Sequence, residues 1–369
     1  MVRLKERWKD ILYTLLGLIL IAALLLRADV TDTLDILADI NLNLILLVLG
    51  LYFLNTFCKV IRWVGLLKGM GAKKVGMVTL PIFLSSLALN NSTPGKVGGE
   101  PVRALMLKEH TGNRISLGLA TIFVEKSLDI ITILAFAGFG LVYMISVLGF
   151  DDVRGIFYAF IAGAIIIMIV ILLVVSRRFM RLINRTLEKA TLRFVGRKED
   201  SRIFRIVSKL EGSLHRFHSS IRTMIRNPGI GIGVLILTLV IWLNEALRLY
   251  IIISALPGDI YIPFQGAVAG VAVANIIGMV LPIGSGNVIG SASVLELLTG
   301  KEANSTAASL TQVATSLWIS IPLGLLSLVF LRKRSKELIS KEIEKDGISV
   351  LPSSEDPEGS SLLGNAPRK

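Results

Sequence analysis

Long apolar runs separated by short polar segments make up most of the chain. A helix needs about 20 apolar residues to cross the hydrocarbon core of a bilayer, so these runs predict transmembrane helices. Those long enough to span are Ile11 to Leu26, Leu42 to Leu67, Ile115 to Phe150, Gly155 to Ser176, Gly229 to Ala255 and Thr306 to Leu331. The pattern therefore predicts an all-α, polytopic integral membrane protein with about six full spans.

Two further apolar stretches are each interrupted by proline and glycine. They are Val75 to Ser92, continued after the break by Val102 to His110, and Pro263 to Leu281, continued by Val288 to Leu298. Irregular backbone at membrane depth is tolerated only where protein or a water-filled cavity satisfies its polar groups. Because the second helix of each pair is short, we predict two re-entrant or broken helical hairpins. Two full crossings at 263–299 would give the same topology and stay open as an alternative.

The order span, broken hairpin, span occurs twice, over Leu42 to Phe150 and over Gly229 to Leu331. Cytoplasmic loops carry an excess of lysine and arginine, which places the basic segment from Arg177 to Arg226 inside the cell. The first unit then starts outside and the second starts inside. Such inverted repeats are common among secondary transporters, whose binding sites lie where the interrupted helices meet.

Charge adds one feature to this picture. The 369 residues are 53% hydrophobic, yet their net charge is +13, and fourteen Lys/Arg against four Asp/Glu lie between Arg177 and Pro228. This segment is predicted to form basic amphipathic helices that bind anionic lipid headgroups, or simply to fix the topology. A nucleic-acid partner is not expected, because no recognition motif accompanies the charge.

These features predict a membrane domain over residues 1–331 and a polar cytoplasmic tail over 332–369, which is expected to be disordered. The protein is expected to be multi-pass in the plasma membrane, with both termini cytoplasmic. The single cysteine, Cys58, leaves no internal disulfide, and no Cys/His cluster suggests a metal site. We expect neither a metal nor a cofactor.

The first break and the third span carry the most informative chemistry. Glycines in the break allow close backbone approach. The N–H groups that begin the next helix, together with Lys96 and Arg103, could hold an anion such as a lipid phosphate. Glu125 and Asp129 lie about 15–21 Å along the third span, near the bilayer midplane. Charges at that depth are costly and indicate function.

The candidate substrate-binding residues come from the first break, the third span and the second break. They are Asn91, Pro94, Gly95, Lys96, Gly98, Gly99, Glu100, Arg103, Glu125, Lys126, Asp129 and Pro282. Lys126 could neutralise Asp129, and either carboxylate of the third span could pair with Arg103 or Lys96. A structural ion pair that locks the hairpin to the span is the alternative to a role in binding.

The other charges within spans have simpler interpretations. Glu245 and Arg248 lie one turn apart on the fifth span and are expected to neutralise each other. Lys59 and Arg62 lie toward the cytoplasmic end of the second span, where both are expected to snorkel to the interface.

Three blocks of sequence stand out: Asn-Asn-Ser-Thr-Pro-Gly-Lys-Val-Gly-Gly-Glu-Pro-Val-Arg from Asn90 to Arg103, Val-Glu-Lys-Ser-Leu-Asp from Val124 to Asp129, and Leu-Pro-Ile-Gly-Ser-Gly from Leu281 to Gly286. In these blocks the chain resembles the flippase-like integral membrane proteins related to the transmembrane region of lysylphosphatidylglycerol synthase. The resemblance implies the handling or movement of polar lipids, such as an aminoacyl-phospholipid or a polyprenyl-linked glycolipid. In that synthase a large soluble domain makes the lipid, and without one we expect no enzymatic activity here.

Three functional hypotheses follow. The first is a lipid flippase or transporter, with the headgroup in a cavity between the two hairpins and the chains in the bilayer. The second is a membrane-embedded lipid-modifying enzyme, which would want clustered carboxylates for a metal or a catalytic histidine. The third is a non-transporting partner of cytoplasmic enzymes of lipid or glycan synthesis. A second copy of the chain is a further candidate partner.

Overall fold

A computed structural model describes residues 15–16, 18–93, 98–175, 219, 222–223, 226–258, 261–279, 281 and 284–345. Within these residues the regular structure is entirely helical. In chain order the helices are α1 (Leu18–Arg27), α2 (Val30–Ala38), α3 (Leu42–Gly69), α4 (Thr79–Asn91), α5 (Gly99–Thr111), α6 (Ile115–Leu148), α7 (Phe150–Val175), α8 (Pro228–Ser254), α9 (Phe264–Gly278), α10 (Ser285–Thr299) and α11 (Glu302–Lys345).

The long helices reproduce the predicted spans. Four of them, α3, α6, α8 and α11, are long and apolar enough to cross a membrane. The 26-residue helix α7 occupies the predicted fourth span, and α1 is the described part of the first. The prediction of an all-α polytopic membrane protein is thereby confirmed.

The two interrupted stretches each form a pair of short helices packed side by side. Helices α4 and α5 have 13 residues each, and α9 and α10 have 15. At 1.5 Å per residue they are about 20 and 22 Å long, which is shorter than the roughly 30 Å hydrocarbon core. Small residues let the backbones approach: a Cβ at Gly290 on α10 would lie 2.6 Å from Ala274 Cα on α9. Both pairs therefore have the dimensions of re-entrant hairpins.

Two features at the ends of the domain differ from the predictions. Helix α2 was not predicted from the sequence; it begins at Val30 and is capped by Asp29, whose carboxylate accepts a hydrogen bond from Thr31 N at 3.0 Å. Helix α11 continues to Lys345, so part of the tail expected to be disordered is helical. The basic segment before Pro228 lies outside the described residues, apart from 219, 222–223 and 226–227.

Helices α3 and α8 pack antiparallel to each other. The end of α3 contacts the beginning of α8: a Cβ at Gly69 would lie 3.0 Å from Ile230. Near the middle of both helices, Asn55 Nδ2 donates to the carbonyl oxygen of Ile241 at 2.8 Å. Since α3 and α8 each begin one repeat, the repeats run in opposite directions.

Each hairpin packs against the last long helix of the other repeat. The first hairpin reaches α11, where a Cβ at Gly324 would collide with Ala88 Cβ. The second reaches α6, where a Cβ at Gly140 would lie 2.5 Å from Ala269 Cβ. The glycines Gly140 on α6 and Gly324 on α11, which have no side chain, therefore allow the two repeats to pack this closely.

Replacing Gly140 by leucine should drive α6 away from α9. Overpacking of a close contact costs about 1–3 kcal/mol, so we expect the melting temperature in detergent to fall by about 1–4 °C. Gly50→Leu is the matched control, because a Cβ there has no neighbour within 4 Å. Equal melting temperatures for the two variants would contradict the predicted role of Gly140.

Candidate functional site

A cavity of about 200 Å³ lies where the two hairpins and the long helices α3, α6, α8 and α11 meet. The first hairpin contributes Asn90 and Asn91 from the end of α4. The second contributes Asn275 from α9 and Asn287 from the first turn of α10. Both breaks in the membrane helices therefore converge on one polar space, as the inverted-repeat prediction requires.

Charged side chains from three helices form a buried cluster on one side of this cavity. The guanidinium of Arg62 on α3 holds Asp129 of α6 through two hydrogen bonds of 2.6 and 3.2 Å. Its Nη2 also lies 3.3 Å from Glu125 Oε1, while Arg103 Nη2 of α5 lies 3.0 Å from Glu125 Oε2. These side chains are only 2–13% exposed. Buried charges are tolerated only when they are paired in this way.

Arg103 also packs against two neighbouring aromatic rings. Its guanidinium carbon lies 5.1 Å from the ring centroids of both Trp63 and Phe83, a distance suited to cation–π attraction. The predicted pairing of Arg103 with Glu125 is confirmed. Because Arg103 is 3% exposed and bound to Glu125 and two aromatic rings, its charge ties α5 to α6, α3 and α4.

Two expectations about the neighbouring charges are wrong. Lys126 pairs with Glu100 at 2.8 Å, and the partner of Asp129 is Arg62. Arg62 is 2% exposed and faces α6, so it does not snorkel to an interface. The apolar sequence around Arg62 gave no sign that a carboxylate three helices later in the chain would reach this arginine.

Lys59 lies one turn before Arg62 on the same face of α3 and also lines the cavity. It is half-buried, and within the described residues it makes no ion pair. Its ammonium group is therefore a cation with no ion pair within 4 Å in the described residues, although Glu245 and Asp129 are near enough to attract it.

Arg248 on α8 occupies the position in the second repeat that Arg62 occupies in the first. Each lies twenty residues after the first residue of its helix. Arg62 donates to Thr238 at 3.2 Å, and Arg248 lies 5.0 Å from the ring of Tyr52. Thr238 and Tyr52 in turn each lie ten residues after the start of their helices. The two arginines thus make reciprocal contacts across a pseudo-two-fold axis.

The partners of the two arginines differ in charge. Arg62 meets the carboxylates of Glu125 and Asp129, ten and fourteen residues into α6. At the same positions of α11 stand Gln312 and Ser316, whose backbone and hydroxyl oxygens accept from Arg248 at 3.2 and 3.1 Å.

The charge that balances Arg248 comes from its own helix. Glu245 lies 3.2 Å from the arginine, which confirms the predicted neutralising pair. The anionic charge therefore sits on α6 in the first repeat and on α8 in the second.

The remaining predicted site residues fall into two groups. Asn91 lines the cavity and donates to Ser320 at 2.7 Å, whereas Gly98 and Gly99 hold the start of α5. Backbone N–H groups of these glycines donate to Thr93 Oγ1 at 3.1 Å and to Asn90 Oδ1 at 2.8 Å. The predicted Pro94, Gly95, Lys96 and Pro282 lie outside the described residues.

Several cavity residues were not predicted as site residues. They include Tyr52, Lys59, Arg62, Trp242, Gln312 and Ser316. Counting from the first residue of each observed helix pairs Arg62 with Arg248 and Gln312 with Glu125. The helix bounds that set this alignment come from the structure. Trp242, which donates to Asp129 at 3.1 Å, has no such signal in the sequence.

Removing Arg62 should destabilise the protein strongly, because two carboxylates would lose a buried partner. Breaking one buried ion pair costs about 3–5 kcal/mol, so Arg62→Met should lower the free energy of unfolding in mixed micelles by that amount. The double variant Arg62→Met/Asp129→Leu should recover more than half of the loss. Arg154→Met, at an exposed pair, should change stability by less than about 1 kcal/mol. An Arg62→Met protein with the same free energy of unfolding as wild type would contradict the stabilising role of the ionic cluster.

Comparison with known proteins gives similar membrane proteins along almost the whole chain. A UPF0104 membrane protein of Methanothermobacter thermautotrophicus is 26% identical over 326 residues, which are 87% of this chain and 95% of the relative. The UPF0104 membrane protein PH1989 of Pyrococcus horikoshii is 24% identical over 326 residues, with 86% and 95% covered. No solved structure matches the chain.

A third relative is similar over a shorter stretch. Glycosyltransferase AglD of Haloferax volcanii is 26% identical over 162 residues, which are 44% of this chain and 26% of that protein. The model of one family covers residues 14–338, from the first helix through both repeats into the end of α11. The chain therefore belongs to the family described as the lysylphosphatidylglycerol synthase TM region.

Proposed function

We propose that this protein binds a polar-headed lipid in the cavity between its hairpins and flips it across the membrane. The observation that carries the proposal is the cavity itself, which is polar, charged and enclosed by helices apolar enough to span a bilayer. Ionisable groups at membrane depth are costly and usually line the path of a polar substrate.

The size of the cavity favours a headgroup over a whole lipid. Pockets for drug-sized ligands usually measure about 300–1,000 Å³, and this one measures about 200 Å³. A headgroup would occupy it while the acyl or prenyl chains stay in the bilayer. Membership in a family named for the membrane region of a lipid synthase supports a lipid as the ligand.

The architecture supports movement of the ligand. In inverted-repeat transporters the substrate binds near the midplane, where broken helices of both repeats meet, and rocking of one repeat against the other alternates the access. Here each hairpin packs on the last long helix of the opposite repeat. A shift of either hairpin would therefore change which side of the cavity is closed.

The proposal assigns transport, and no chemical step, to the protein. We place it in the plasma membrane with both termini cytoplasmic, and we propose that the basic segment 177–228 binds anionic headgroups there. Within the described residues no group of three or more His, Cys, Asp or Glu side chains could hold a metal ion. The predicted substrate-binding roles of Asn91 and Lys126 belong to this proposal, whereas Glu125 acts through its ion pairs with Arg62 and Arg103.

A second candidate function is a membrane step in the handling of lipid-linked glycans, as a partner of the enzymes that build them. Similarity to a protein named Glycosyltransferase AglD favours it. The matched stretch is 26% of that protein's length, so its named activity is no guide to chemistry in this chain. Because of this similarity, a polyprenyl-phosphate sugar is one of the lipids to be tested below.

Blocking the cavity should stop lipid translocation. We expect purified protein in liposomes to move fluorescently labelled phosphatidylglycerol or a polyprenyl-phosphate sugar between leaflets faster than protein-free liposomes do. Asn275→Trp should reduce that rate at least about tenfold, because the indole would fill the headgroup space that Asn275 lines. Dithionite quenching of the outer-leaflet label measures the rate.

The neighbouring residue provides the control. Ile276→Trp adds the same side chain one position along α9, where Ile276 is 40% exposed and outside the cavity lining. It should translocate lipid at the wild-type rate. Wild-type liposomes no faster than protein-free ones for any lipid would refute the proposed function, and equal rates for the two tryptophan variants would refute the proposed site.

A further inference from the structure

We infer that the cavity selects a lipid whose phosphate carries a single negative charge and whose remaining headgroup is uncharged and hydroxylated, with Lys59 as the phosphate ligand. The inference rests on the proposed function and narrows its substrate class. On this inference, the favoured substrate is a phosphodiester lipid that carries glycerol or a sugar. A cationic aminoacyl lipid is disfavoured.

Charge counting within the described residues gives the first step. Five cationic side chains line the cavity or pair with a residue that does: Lys59, Arg62, Arg103, Lys126 and Arg248. The carboxylates of the same set are Glu100, Glu125, Asp129 and Glu245. One positive charge is left over, so a ligand with one negative charge neutralises the site.

Ion pairing locates the surplus charge. Arg62, Arg103 and Lys126 each lie within 3.3 Å of a carboxylate oxygen. The two arginines are also 2–3% exposed, which leaves them little contact with a ligand. Lys59 has no such partner among the described residues and is more accessible. An incoming phosphate therefore meets Lys59 first, and Arg103, which the sequence suggested for that role, stays with Glu125.

The rest of the lining favours an uncharged, hydroxylated group beside the phosphate. Five amide side chains face the cavity, and they are Asn90, Asn91, Asn275, Asn287 and Gln312. Amides offer donors and acceptors together, which suits hydroxyl groups. The accessible carboxylate that a cationic headgroup would need is missing from the described lining, since Glu125 and Asp129 are occupied by Arg62 and Glu245 by Arg248.

Native mass spectrometry of the purified full chain can test the selectivity. The ligands are phosphatidylglycerol, phosphatidylcholine and lysyl-phosphatidylglycerol of identical acyl chains, each titrated into the same detergent. All three lipids carry the same phosphodiester, but the added choline or lysyl cation would enter a site that already has one surplus positive charge and no accessible carboxylate in the described lining. Leaving one charged group unsatisfied weakens binding by about 10- to 100-fold. We therefore expect phosphatidylglycerol to bind at least about tenfold more tightly than the other two, and Lys59→Gln to lose that preference.

Matched variants separate the site from general charge effects. Lys68→Gln removes the same charge from an exposed position on the same helix and should bind like wild type. Lys59→Arg keeps a cation and should retain most of the preference. Thermal unfolding should be similar for all three, because Lys59 has no described ion pair to lose. Equal binding of the three lipids, or an unchanged preference in Lys59→Gln, would overturn the inference.

Two further outcomes distinguish the sources of failure. Inorganic phosphate that displaces phosphatidylglycerol at equal concentration would overturn the lipid assignment in favour of a free phosphate ligand. Selective binding that depends on Lys59, in a protein that moves no lipid in liposomes, would uphold this site and overturn the proposed flipping. Translocation without any lipid preference would overturn the inference and leave the proposed function standing.

Discussion

The buried ion pair between Arg62 and Asp129 is the contact on which the first repeat depends. Moving two charges from water into this interior is costly, and the cost is offset only while both stay paired. Because Glu125 joins Arg62 on one side and Arg103 on the other, the pair extends into a chain that connects α3, α6 and α5. The position of the first hairpin beside the cavity is therefore set by electrostatics as well as by apolar packing.

The second repeat stabilises its buried arginine, Arg248, with fewer charged partners than the first repeat uses for Arg62. Arg248 matches Arg62 in position, yet the helix facing it offers the carbonyl oxygen of Gln312 and the hydroxyls of Thr315 and Ser316. Hydrogen bonds to neutral acceptors are weaker than ion pairs, and Glu245 supplies the balancing charge from the same helix. The two repeats thus share a backbone plan while presenting chemically different walls to the cavity.

Much of the fold follows from the sequence because bilayer physics is simple. Length and hydropathy placed α3 and α8 close to their observed bounds, and Pro/Gly breaks located both hairpins. The carboxylates Glu125 and Asp129 were found because charge at membrane depth is costly. The partners of these carboxylates were harder to predict. Arg62 lies near a helix end, where snorkelling to the interface explains it locally, and only three-dimensional packing reveals that it faces α6.

The difference between the repeats also explains why one cavity can be selective. In a fully symmetric protein, whatever binds a phosphate on one wall would bind it equally on the other, and the ligand would have two equivalent orientations. Here Lys59 and Glu245 occupy the same position of their helices, seventeen residues from the start, with opposite charge. Arg248 balances Glu245 within α8, whereas Lys59 makes no ion pair in the described residues, so the surplus positive charge lies on α3. In the proposed site, a ligand with a single anionic group is therefore attracted toward α3. In the proposed transport, the two repeats form the two access routes, and their chemical difference determines which wall of the cavity the headgroup meets.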